Sequence, residues 1–123
     1  MKFRGFTLIE LLVVMAIVAT LLSIVTPRYF RHLEHTKETA LRQTLNVVRD
    51  AIDKYHADKG RYPATLDELV DQRYLRQPPI DPVADKGAAW VLLPPPDDPA
   101  GGVWDLRSGA AGAGSDGMAY GDY

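Results

Sequence analysis

Between residues 6 and 25 the chain is apolar everywhere except at Thr7, Glu10, Thr20 and Ser23. A helix built from such a run has no polar face. At about 1.5 Å per residue, twenty helical residues reach about 30 Å, the hydrocarbon thickness of a bilayer. The pattern then changes without breaking off. Phe30, Leu33, Leu41, Leu45, Val48, Ile52 and Tyr55 recur at steps of three, four or eight, and Ala40, Thr44 and Ala51 widen the stripe. Arg31, Glu34, Lys37, Glu38, Arg42, Arg49, Asp50, Asp53 and Lys54 fall mostly on the opposite side. That is the period of an amphipathic helix with one buried face. Pro27 sits between the two patterns and removes one backbone hydrogen bond. It predicts a kink, not an end, because the apolar spacing resumes at once. Lys59-Gly60 is the stop, with glycine free to take a left-handed cap. The two patterns together predict one helix of roughly fifty residues.

Beyond Gly60 the periodicity shortens. Thr65-Leu66-Asp67-Glu68 is a capping box, so a short helix is expected to run to Asp71 or Gln72. Pro78, Pro79 and Pro82 impose an extended connector. Residues 88–93 and 103–108 read as strands, and the Pro/Asp/Gly-rich stretch at 94–102 as the loop joining them. Strict alternation in the second strand turns Trp104 and Leu106 one way and Val103, Asp105 and Arg107 the other. The fold class is α+β: a long N-terminal helix packed on a small head with a short helix and an antiparallel sheet of two to three strands.

One carboxylate interrupts the first apolar run. An ionised side chain deep in a bilayer costs about 2.5–3.5 kcal/mol on insertion scales, so Glu10 marks a functional site. Its surroundings add a second signal. Lys2 and Arg4 form a basic leader, Gly5 is a small residue that a protease accommodates, and the apolar run starts directly after it. A secretory signal carries its small-residue cleavage site after the apolar region, whereas here Val25 leads into Thr26-Pro27-Arg28-Tyr29. Cleavage before the run would retain the run in the mature protein.

Arg4-Gly5-Phe6-Thr7-Leu8-Ile9-Glu10 followed by an apolar stretch resembles the class III signal of type IV pilins and type II secretion pseudopilins. The phrase Gly60-Arg61-Tyr62-Pro63, then Leu69, Tyr74-Leu75 and Asp81-Pro82, resembles the major (G) pseudopilin group, as does the Trp104-Asp105-Leu106 strand leading into a Gly/Asp-rich tail. The resemblance implies a pilin fold and a prepilin peptidase that cuts after Gly5 and N-methylates Phe6. It implies that Glu10, then the fifth residue, neutralises the terminal amine of an adjacent subunit. A buried carboxylate and a buried ammonium are each costly alone, and pairing offsets much of that cost. The implied partners are further copies of the chain joined through their N-terminal helices, an inner-membrane assembly platform and minor pseudopilins. The implied location is the bacterial inner membrane, N-terminus cytoplasmic and head periplasmic. Lys2 and Arg4 before the span are nearly balanced by Arg28 and Arg31 after it, so charge hardly orients the chain.

Composition narrows the rest. At 123 residues the chain accommodates the helix and one small domain. The expected divisions are a leader at 1–5, an assembly half at 6–26, an amphipathic half at 27–60 and a head at 61–123. From Gln77 onward two basic residues, Lys86 and Arg107, face seven Asp, which disfavours nucleic acid as a partner. With no cysteine there is no disulfide, and the adhesive major pilins that close a C-terminal loop with one are the less similar branch. Major pseudopilins hold calcium in that loop. Here Asp116 and Asp122, with carbonyls of the glycine-rich stretch, are the candidate ligands, although the consecutive aspartates usual in the family are missing. His32 and His35 read as a solvated helix face and His56 as a group near the helix C-terminus. No nucleophile–base pair stands out, so the chain reads as a substrate of an enzyme and not as one. The function expected is a structural pseudopilin of a short periplasmic filament that drives type II export. The alternatives are a type IV pilus pilin for adhesion, motility or DNA uptake, and a signal-anchored periplasmic binding module.

Overall fold

The computed structural model describes residues 4–84 and 89–123; Lys2 of the leader and Ala88 of the first expected strand lie outside the described residues. The elements are helix α1 (Leu8–Lys59), helix α2 (Leu66–Asp71), strand β1 (Val91–Leu93), strand β2 (Asp105–Arg107) and a 3-10 turn at Tyr120–Asp122. The chain divides into two compact units, Met1–Leu33 and Glu34–Tyr123.

In the first unit α1 is apolar and uncovered. The large side chains from Leu8 to Val25 are all exposed, Leu12 at 63% and Leu21 at 57%. The hydroxyls among them are satisfied locally: Thr20 Oγ1 donates to the Ala16 carbonyl at 2.8 Å, and Ser23 Oγ to that of Ala19 at 2.8 Å. Pro27 lies inside α1 and does not end it.

In the second unit the C-terminal half of α1 supplies most of the core. Leu41, Leu45, Val48, Ala51, Ile52 and Tyr55 are buried with Leu69 of α2, Val103, and Leu106 of β2. Burial of each large side chain contributes about 1.5–3 kcal/mol. The covered face is shorter than the periodicity predicts. Phe30 (57%) and Leu33 (38%) remain exposed, and burial begins at Glu38. The head covers α1 only from Glu38 to Tyr55, about 25 Å of helix. Gly60 ends α1 as expected: its φ is +71° and its N–H reaches the His56 carbonyl at 2.9 Å.

Helix α2 starts where the capping box places it. Glu68 N–H donates to Thr65 Oγ1 at 3.3 Å, while Glu68 Oε2 accepts the Ala64 N–H at 2.7 Å. The same carboxylate also accepts the Tyr55 hydroxyl of α1 and the Arg61 guanidinium, the latter at 2.9 Å. One residue therefore caps α2 and ties it to the core face of α1. The Tyr55 hydroxyl bond, then the Ala64 N–H and Arg61, hold its carboxyl at about 2 against an ordinary 4.5.

Strands β1 and β2 are antiparallel, pairing Val91 with Arg107, Leu92 with Leu106 and Leu93 with Asp105. Both are shorter than the sequence predicts, and the expected alternation holds within β2, where Leu106 is buried between Asp105 and Arg107, but not just before it. Val103 is buried at 3%, whereas Trp104, expected on the same side as buried Leu106, is 40% exposed. Val103 precedes the strand: Gly102 takes φ +93°, and the Val103 N–H bonds to the Pro63 carbonyl at 2.7 Å. A side chain at Gly102 would collide with that carbonyl, its Cβ lying 2.5 Å away. The chain is thus pinned against the 60–63 turn before entering the sheet, which shifts the phase of the pleat. Trp90 is half-buried and its indole N–H reaches the Pro79 carbonyl at 3.1 Å. Asp81 fastens the connector, accepting the N–H groups of Val83 (3.0 Å) and Ala84 (3.2 Å) and the Ser108 hydroxyl.

Because the Glu68 carboxyl is depressed in the fold, its contribution is fully present above about pH 4.5 and is lost as pH falls toward about 2. Glu68→Gln in the detergent-solubilised full chain is expected to lower the thermal midpoint at neutral pH. The gap from the parent chain should close between those two values. Melts followed by tryptophan fluorescence check this, and a gap independent of pH contradicts it.

Candidate functional site

Residues 4–7 are outside regular structure, and α1 begins at Leu8. Thr7 and Glu10 bridge that boundary reciprocally. Glu10 N–H donates to Thr7 Oγ1 at 3.3 Å, and Thr7 N–H donates to Glu10 Oε2 at 2.9 Å. The Leu11 N–H closes the first helical turn on the Thr7 carbonyl at 3.2 Å. Thr7-Leu8-Ile9-Glu10 is therefore a capping box, the same Thr-Leu-x-Glu string that starts α2. The carboxylate lies where the helix dipole favours negative charge, which offsets part of its insertion cost. Sequence reasoning recognised the string at Thr65 and missed it at Thr7, where the apolar run masked the signal.

Glu10 is exposed and shares a shallow groove on α1 with Phe6, Ile9, Val13 and Val14. Phe6 is 86% exposed. Gly5 has open space at its Cβ position, and its φ is not positive. Neither packing nor backbone conformation demands glycine there. The Gly5–Phe6 peptide lies in non-helical backbone, the form in which a protease engages a peptide.

The tail holds the other candidate residues. Gly114-Ser115-Asp116-Gly117 is a tight turn, with Gly117 N–H on the Gly114 carbonyl at 3.0 Å and Gly114 N–H on the Met118 carbonyl at 2.9 Å. Ala113 and Ala119 pair across it. Its tip meets α1. Glu38 accepts the Ser115 N–H at 2.6 Å and hydroxyl at 2.8 Å. Arg42 donates to Asp116 Oδ2 at 2.9 Å and stacks 4.2 Å from the Tyr123 ring centroid. Asp116 Oδ1 also accepts the Met118 N–H at 3.0 Å. That bond first, and the Arg42 charge among further causes, hold the Asp116 carboxyl below its ordinary range. Farther along, Arg49 donates to Asp105 (2.8 Å), the Leu106 carbonyl (3.2 Å) and the Tyr123 carbonyl oxygen (3.0 Å).

Glu38, Arg42 and Arg49 belong, on the sequence pattern, to the solvated side of the helix. The structure puts them on the rim of the apolar stripe, beside Leu41 and Leu45. Their spacing at 38, 42 and 49, flanking that stripe, was the legible signal. Asp116 and Asp122, the expected calcium ligands, are both exposed, the second on the 3-10 turn. Among the described residues no group of three or more His, Cys, Asp or Glu is placed to hold a metal ion. The donor set fits calcium poorly, because a guanidinium already lies against Asp116. His35 Nδ1 lies 3.8 Å from Glu38, and His56 stacks on Tyr62 at 4.2 Å, which accounts for both rings on the second half of α1.

These features define a pilin-like protein, with an apolar N-terminal helix long enough to cross a membrane and a small α+β head. Residues 1–26 match the family model described as a prokaryotic N-terminal methylation motif. The chain is 31% identical over 132 residues to type II secretion system core protein G of Escherichia coli, covering 94% of this chain and 84% of the relative. It is 32% identical to the core protein G of Klebsiella michiganensis, over 85% of this chain and 73% of the relative. A ComG operon protein 3 homolog of Bacillus licheniformis is 31% identical over 63% of this chain and 79% of its own. No solved structure matches the chain significantly. The chain belongs to the type II secretion core protein G family, the pseudopilins.

Thr7→Ala removes one half of the N-terminal capping box. Loss of such a cap costs about 1 kcal/mol, so the Glu10 amide is expected to exchange with solvent about fivefold faster. Hydrogen-exchange NMR of the full chain in detergent micelles tests this, and unchanged exchange would show that the hydroxyl does not cap α1.

Proposed function

We propose that this chain is a structural subunit of the type II secretion pseudopilus and not an enzyme. Residues 1–5 form the leader and residues 6–26 the assembly half of the N-terminal helix. Residues 27–60 carry the amphipathic half, and 61–123 the head. The chain inserts in the bacterial inner membrane with its N-terminus cytoplasmic and its head periplasmic. Prepilin peptidase cuts between Gly5 and Phe6 and methylates the new amine of Phe6. The observation that carries the reading is the isolation of Glu10, the one ionisable side chain in an apolar surface running from Phe6 to Val25.

In lipid that surface needs no protein cover, and in a filament it is covered by neighbouring copies. Glu10 is then the group that cannot be buried alone. Its cap on Thr7 satisfies one oxygen in the separate subunit. The methylated ammonium of a neighbouring Phe6, moved into the same low-dielectric groove, supplies the counter-charge that lets both be buried. Charge pairing at this point also selects register, because a copy shifted along the helix leaves two charges unmatched. Growth takes place on an inner-membrane assembly platform and engages minor pseudopilins. Similarity to core protein G over nearly the whole chain favours secretion over a pilus for adhesion, motility or DNA uptake.

Mass spectrometry of the membrane-extracted protein is expected to find a chain starting at methylated Phe6. An intact Met1, or processing after Val25, would overturn the reading. Because nothing in the fold requires Gly5, replacing it with a bulky residue should abolish processing and leave insertion intact. Glu10→Leu should insert and be cleaved normally while filament yield collapses. Normal filaments from that variant would refute the pairing.

A further inference from the structure

We infer that the C-terminal hairpin of this chain is closed on α1 by side chains of the helix, Glu38, Arg42 and Arg49, in the place of a metal ion, and that the head folds without calcium. The inference stands apart from the secretion reading, for it concerns only how the head is held together.

The hairpin presents donors and acceptors in alternation, and the helix answers each in kind. Ser115 offers an N–H and a hydroxyl, and both go to the carboxylate of Glu38, a residue only 5% exposed. A buried carboxylate with two short donors is a strong anchor, because water cannot compete for it. Asp116, next in the turn, offers negative charge, and Arg42 one helical turn beyond Glu38 meets it at 2.9 Å. The guanidinium also lies over the Tyr123 ring, and the Tyr123 hydroxyl reaches back to Asp116 Oδ1 at 3.4 Å. Arg42 thus joins the turn to the end of the tail, as a divalent cation would join two carboxylate-bearing loops. The Arg42–Asp116 pair is half exposed and weak by itself. The closure rests on its combination with buried Glu38 and with Arg49, which draws Asp105, the Leu106 carbonyl and Tyr123 together.

Calcium at Asp116 would have to displace a guanidinium already neutralising it. A cation that must first expel a bound guanidinium gains less than one meeting a free carboxylate, since that guanidinium already supplies positive charge there. The helix supplies its cations through its own side chains, so closure is independent of the surrounding calcium concentration.

The test uses the full chain in detergent, with calcium added or with excess chelator. Two readouts are followed: the thermal midpoint, and amide exchange at Ser115 and Gly117. The parent chain is expected to give superimposable midpoints and equal exchange in both conditions. Glu38→Ala should speed exchange at Ser115 about tenfold or more, the loss expected for a charge-assisted bond, and Arg42→Ala should speed it by less, as suits a half-exposed pair. A higher midpoint in calcium for the parent chain, or slower exchange of the turn amides, would overturn the inference. Unchanged exchange at Ser115 in Glu38→Ala would overturn it as well. Should a variant fail to fold, the comparison on the parent chain alone still decides.

Discussion

The head is organised by a face of α1 that cannot be left in water. Leu41, Leu45, Val48, Ala51, Ile52 and Tyr55 form a continuous apolar strip, and the chain has no cysteine with which to staple a cover over it. Hydrophobic burial must do the work of tying the irregular segments down. Leu69 of α2 and Val103 and Leu106 around β2 are the contacts that do so. The connectors between them are fastened by polar groups, Glu68 at the start of α2 and Asp81 beside Ser108. Without the strip, a two-stranded sheet of three residues a side would not hold.

The same helix carries a second apolar surface with a different fate. From Leu8 to Val25 the side chains are exposed all round, and none of them is buried among the described residues. A surface of this extent calls for lipid or for copies of itself. The two halves of α1 obey one principle with different solvents. One half buries its apolar area in folding, and the other leaves it exposed along a stretch long and apolar enough to cross a membrane. The absence of any charged side chain between Glu10 and Arg28 follows from that requirement, and it is what isolates Glu10.

The polar anchors of the head lie at the edges of the strip, not across from it. Glu38, Arg42 and Arg49 run along its border and reach over it to the tail, while Arg61 lies 5.3 Å from the Tyr55 ring at the other end. Long side chains whose stems pack on apolar surface and whose heads meet polar partners suit such a border. They explain how a tail rich in glycine is held in one arrangement: the turn at 114–117 is short, but each of its central residues meets a charged side chain on a rigid helix.

Periodicity by itself determined the long helix, its continuation through Pro27, its end at Gly60, the short capped helix and the existence of the strand pair. Each depends on local spacing and local chemistry. The segment Arg4–Glu10 was likewise legible, because its meaning lies in consecutive residues; the Thr7–Glu10 cap was present in the string though masked by the apolar run. Tertiary structure alone decided where the covered face of α1 begins, that Val103 turns inward ahead of β2, and what holds the tail. Phe30 and Leu33 continue the stripe in sequence, but the head does not extend to them. Val103 is turned inward by a bond to Pro63, forty residues away in the chain. Arg42 meets Asp116 across 74 positions. Such pairings depend on which segments the fold brings together, and side-chain type at either end does not specify the partner.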